Sequence, residues 1–302
     1  MKNKGKILLY ISLILLLGIL FVNIISYVKV YNNNLNRYNV QRKECLTLIK
    51  ENKLDDNSKK EFCQKIVENN YRKDDFFTAF SVIIHDGLYS FSSLMILFLI
   101  IPSSYYICKV FKNNIIQNEL LRENYLKMKK KLFKDAYKTA FIIPTIVVIG
   151  IVFCALYTKN FNYKSAIEDS TIIWSAKTLK YGWLFIILYI LNVFIHSLLY
   201  INIGLCVSRK HHNFFVSIIL SFLIFCGIEA LLEISSWLIF GTLLKKEWAV
   251  MFNIMNMFSY NDTFGILSPI VVPLIFMIIS FIIVHLMYKN KESLIIDCEK
   301  NI

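Results

Sequence analysis

Residues 7–28, ILLYISLILLLGILFVNIISYV, run for 22 positions without a charged side chain. Coiled at about 1.5 Å per residue, such a run reaches about 33 Å, enough to cross a hydrocarbon core of about 30 Å. Lipid offers a backbone no hydrogen-bond partner, so the run must bond to itself as a helix. A cleaved leader is shorter and ends in a small-x-small site, which does not follow here, so 7–28 reads as an uncleaved first span. Further runs near 80–108, 139–157, 181–206, 214–240 and 268–288 repeat the pattern. The fold class is all-α: a polytopic membrane protein with six transmembrane helices.

The chain is 56% apolar and only 18% charged, with a net charge of +13. Its charges fall between the apolar runs, so topology explains them better than nucleic acid does. Six spans put both termini on one side. The segments assigned inward carry 17 Lys and Arg, nine of them in 109–138. The outer segments also carry 17, but 11 belong to the single loop 29–77. The short loops, where the positive-inside rule works best, favour cytoplasmic termini, and abundant Asn, Lys and Ile with scarce Pro and Gly point to an AT-rich bacterial genome and so to a bacterial plasma membrane. The chain divides into 1–28 (tail and first span), 29–77 (outer hairpin), 78–108 (second span) and 109–138 (inner helix region). The third and fourth spans follow at 139–207. A short inner loop covers 208–213, 214–288 spans the fifth and sixth runs with the piece between them, and 289–302 is an inner tail.

Within 29–77, Leu46, Ile49 and Leu54 mark one apolar stripe and Phe62, Ile66 and Val67 another. Asp55–Ser58 is the turn, and Ser58 with Glu61 fits a capping box. Cys45 and Cys63 sit on opposite arms at similar distances from that turn. They form a disulfide if the loop is outside the cell, or pack the hairpin as thiols. His85 and Asp86 mark either a proton or metal pair, or a polar entry to the second span. Pro102 predicts a kink.

From Asn118, a candidate cap, Leu120, Leu121, Tyr125, Met128, Leu132 and Phe133 recur at helical spacing through a basic stretch. Such a helix lies on an anionic leaflet, docks a soluble partner, or does both. Arg209 and Lys210 in the short inner loop read as a positive-inside anchor.

Glu229 and Glu233 stand at i,i+4 late in the fifth run, on one helix face. A carboxylate at a bilayer centre costs about 2.5–3.5 kcal/mol, so each needs a reason. Asn192 and His196 are polar positions in the fourth run. A metal site needs converging ligands, which these spacings do not supply, and no metal or catalytic residue is assigned. P-loop, H-E-x-x-H and G-x-S-x-G motifs do not occur, so the chain is not read as an enzyme and binds no cofactor through them.

The layout resembles the membrane subunit of a type-2 ABC exporter. Asn118 to Lys134 occupies that family's coupling-helix position. Trp248 through Phe264, closed by Ser268-Pro269, occupies its outer re-entrant position. Glu119 and Lys138 stand near a family pattern whose glycine is missing here. The resemblance implies a dimer of permeases in the bilayer, driven by separate ABC ATPase subunits that bind ATP and Mg, and no nucleic-acid partner. It implies ATPase docking at Glu119, Arg122, Tyr125, Lys129, Lys130, Lys131, Phe133 and Arg209. It places Glu229, Glu233, Asn192, His196 and Trp237 along a path for a peptide or amphiphile, in export or self-immunity. A different class, a sensor or accessory protein binding a ligand at the 29–77 hairpin, fits the same spans.

Overall fold

The computed structural model describes residues 3–51, 57–68, 74–112, 124–161, 174–244 and 264–292, with 248, 252, 257, 258, 260, 262 and 295 singly. Every regular element among them is helical, and six helices are long and apolar enough to cross a membrane. The chain is a multi-pass, all-α membrane protein.

The first span does not end where its apolar character ends. Helix α1, Asn3–Lys50, continues for 48 residues, about 72 Å at about 1.5 Å per residue. No Gly or Pro stands between 19 and 50 to break it, and a change from apolar to polar side chains leaves the backbone bonds intact. The first arm of the expected hairpin is thus the continuation of the span itself. Helix α2, Asn57–Glu68, begins one residue before the expected Ser58 cap and packs back along α1. A Cys45–Cys63 disulfide joins the two helices. Tyr38 donates its hydroxyl hydrogen to the Ile66 carbonyl at 2.9 Å.

The second span departs from the expected single helix. Residues Phe76–Phe80 (α3), a π-helical turn Ser81–Asp86 and Gly87–Tyr89 (α4) form a short apolar element, and α5 starts afresh at Ser92 and runs to Lys112. Asp75 caps α3, accepting from the Thr78 amide at 2.8 Å. The chain turns at Ser90–Phe91, where the Phe91 amide donates to the Leu88 carbonyl at 3.0 Å and the Phe91 carbonyl accepts from the Met95 amide at 3.0 Å to start the next helix. His85 is consequently buried against Trp174 rather than standing at the mouth of α5.

Helix α6, Tyr125–Tyr137, is capped by Asn124 in extended conformation. It therefore does not continue unbroken from Asn118. The expected start at 118–123, with Glu119 and Arg122, lies outside the described residues. A 3-10 turn, Lys138–Phe141, leads into α7, Ile142–Thr158. Helix α8, Ala176–Leu179, precedes α9, Trp183–Lys210. Helix α10, Phe214–Ser236, passes into a π-helical stretch Trp237–Leu243, and α11 is Ser268–Met287. The expected loop 208–213 shrinks to His211–Asn213, because α9 retains Arg209 and Lys210.

Helix α9 is the post around which the others stand, packing against α5, α7, α10 and α11. Its most apolar stretch is 61% buried, against 22% for α10 and 17% for α1. Gly204 brings it close to α5: a Cβ there would meet Ser104 Oγ at 3.3 Å, the small-residue contact that lets helices approach in lipid.

The disulfide closes a loop of 18 residues, which stabilises the α1–α2 pair by about 3 kcal/mol on chain-entropy grounds. In Cys63→Ser, hydrogen exchange in α2 should accelerate by about two orders of magnitude while α9 is unchanged. Unaltered exchange in α2 would show that packing alone holds the pair.

Candidate functional site

Two regions concentrate polar side chains. The first is a seam along α9. Tyr189, Asn192, His196 and Tyr200 recur at helical spacing on one face, and all are almost wholly buried. The Asn192 side chain donates to the Met257 carbonyl at 3.2 Å, and Tyr189 donates to the Phe258 carbonyl at 3.2 Å. His196 Nδ1 lies 2.8 Å from the Asn192 carbonyl. A carbonyl only accepts, so Nδ1 carries the hydrogen. Nε2 then presents its lone pair inside the protein, with no hydrogen-bond partner among the described residues.

Glu229 of α10 joins this seam. It is 4% exposed and stands one turn from Phe225, on the face of α10 that Tyr200 packs against. Tyr200 meets Phe225 edge-on at 4.7 Å. Asn192, His196 and Glu229 are thus brought into one neighbourhood, with Tyr200 as the link. Glu233 and Trp237 are not part of it. Both are exposed. The shared helix face expected of Glu229 and Glu233 is therefore split: Glu229 is buried and Glu233 is exposed.

The segment after α10 folds back on this seam. Among its described residues, Met257, Phe258 and Tyr260 are buried. Asp262 accepts from the Ser175 hydroxyl at 2.6 Å and the Ser175 amide at 3.0 Å. Burial, with Asp262 adding, pushes the Tyr260 hydroxyl above its ordinary pKa, so it remains a neutral donor, here to the Ile266 carbonyl. Phe185 and Tyr189 pack against its ring, and Trp174 packs on both of them. The helical form expected for Trp248–Phe264 lies largely outside the described residues.

The second region is at the opposite end of the bundle. There Tyr288 donates to the Leu205 carbonyl at 2.9 Å. Its own carbonyl accepts from the Tyr125 hydroxyl at 2.6 Å and from Lys129 Nζ at 2.8 Å. The Arg209 guanidinium lies 5.4 Å from the centre of its ring, and Phe133 packs edge-on at 5.1 Å. Four expected docking residues, Tyr125, Lys129, Phe133 and Arg209, are therefore turned inward as fasteners. Lys130 and Lys131 are exposed, as is Leu126 on the same helix. Tyr288, the hub, carries no signal in the sequence beyond being an aromatic residue at the end of a span.

Other contacts gather at this end. Gly5 of α1 lies against Tyr105 and Tyr106 of α5. The Cys108 thiol reaches Ser217 at 3.5 Å, and Ser217 donates to the His211 carbonyl. The start of α1, the end of α5, α6, the α9–α10 turn and the end of α11 therefore meet together. Among the described residues of this end, the acids are Asp135 and Glu292, against many lysines. No group of three or more His, Cys, Asp or Glu able to hold a metal ion occurs among the described residues.

No family model, curated protein or solved structure matches the chain.

Replacing Asn192 with Leu leaves the Met257 carbonyl without its donor, a loss of about 1–3 kcal/mol. Thermal unfolding in detergent should shift down, and hydrogen exchange at 257–266 should rise first. An unshifted transition would remove Asn192 from the anchoring of that segment.

Proposed function

We propose that this chain is the membrane subunit of an ATP-binding-cassette transporter, forming with a second permease the path for a peptide or amphiphile, with ATP hydrolysed by separate subunits. The observation that carries this reading is the attachment of α6. A basic amphipathic helix, exposed along Leu126, Lys130 and Lys131, is bolted through Tyr288 to the ends of α9 and α11. A partner that moved α6 would therefore move two spans with it, the connection a coupling helix requires.

The basic end faces the cytoplasm in this reading, with both termini there and α1–α2 outside. The distribution of Lys and Arg outside the long 29–77 segment supports it, as does a disulfide at the far end, where oxidising conditions preserve such bonds. The membrane is a bacterial plasma membrane. The seam of Asn192, His196 and Glu229 then lies toward the outer half, where a buried carboxylate suits a cationic group in transit.

The test is co-expression with a neighbouring cassette ATPase. Lys130→Glu with Lys131→Glu should abolish co-purification while leaving the thermal transition in place. Lys129→Glu should instead lower the transition, because Lys129 fastens α6 to Tyr288. Retained ATPase binding and coupled hydrolysis in the double variant would reject α6 as the docking helix. If no ATPase associates with the chain, an outer-ligand sensor built on the α1–α2 pair becomes the better reading.

A further inference from the structure

A groove of about 570 Å³ opens between α9, α10 and α11. That volume is within the range of small-molecule sites, about 300–1,000 Å³. Its walls are apolar, with Ile203 and Cys206 from α9, Leu220 and Ile224 from α10, and Phe276 and Ile283 from α11. The two polar residues of its floor are already engaged. Asn202 donates to the Ser280 hydroxyl at 2.8 Å and accepts from Tyr137 at 2.7 Å. The groove thus offers hydrocarbon contact and little for a peptide backbone to bond.

Length identifies the occupant. Along α9 the lining extends from Leu199 to Lys210, about 17 Å at about 1.5 Å per residue. That is close to one leaflet, half of a core of about 30 Å. Outside the groove α10 and α11 expose Ile219, Leu223, Ile282 and Leu286 to the bilayer. At one end the groove finishes at Lys210 and His211, in the end of the bundle where cations far outnumber acids. We infer that this groove holds one acyl chain of an anionic phospholipid from the leaflet on that side, with its headgroup at Lys210. The inference stands whether or not the chain is a transporter subunit.

The experiment uses the full chain in nanodiscs of phosphatidylglycerol or phosphatidylcholine, followed by native mass spectrometry of retained lipid. Wild type should keep one phosphatidylglycerol per chain and hold phosphatidylcholine about fivefold more weakly, the effect of one lysine at an anionic surface. Lys210→Gln should remove that preference. Ile224→Trp, which fills the groove, should abolish retention of both lipids; Ile283→Phe fills it from the opposite wall should the first variant fail to fold. Equal retention of the two lipids by wild type would overturn the proposal, as would retention undiminished in the filled variants. Efficient disulfide crosslinking of two copies through Ile224→Cys would overturn it in favour of a second copy covering the groove.

Discussion

Tyr288 ties α6 and α9 to the end of α11, the same three helices that Asn202 joins deeper in the bundle through Tyr137 and Ser280. Its hydroxyl reaches α9, its carbonyl takes two donors from α6, and its ring carries Arg209 and Phe133. The C-terminal carbonyls of a helix have no partner within the helix. At the end of α11 one of them is satisfied by Tyr125 and Lys129. The positive side chain there also suits the negative end of the helix dipole. A bundle end full of like charges is held by directing some of those charges onto carbonyls and rings, with the remainder left in water.

The interior of the bundle obeys the same rule in a drier setting. Polar groups on α9 are expensive among hydrocarbon unless paired. Asn192, Tyr189 and Asn202 each reach a carbonyl or side chain of a neighbouring segment. These bonds fix which face of α9 meets which neighbour, a choice that apolar packing in lipid leaves weakly specified. His196 Nε2 departs from this pattern, and it lies where Tyr200 and Glu229 adjoin.

Much of this was legible before the structure. The six spans follow from the length of their apolar runs, and their ends agree within a few residues for α7, α9 and α11. What escaped is instructive. The break between α4 and α5 lies inside an otherwise spanning pattern, and hydropathy does not register it. The unbroken α1 is not legible in hydropathy, because a change from apolar to polar side chains leaves the helical backbone bonds intact. Glu229 and Glu233 share a helical spacing, but one is buried and the other exposed, because burial depends on which neighbours pack at each turn, which no local pattern records. Tyr125, Lys129 and Arg209 looked like a surface because basic residues usually are, and their turn inward depends on one tyrosine over 75 residues away.

Helix α1 has a mechanical consequence. A continuous helix of 48 residues bends only gently, so its bilayer part and its disulfide-bound part share one orientation. With one end against Tyr105 and Tyr106 and the other carrying α2, it behaves as a rod of about 70 Å. Held midway by Tyr27, which donates to Asp74 and packs on Tyr157, it has about 30 Å of lever from Tyr31 to Lys50, so each degree of tilt carries the α2 end through roughly 0.5 Å. Position at the distal tip is thereby a magnified readout of angle inside the membrane, and any load on the tip is felt as torque at its base.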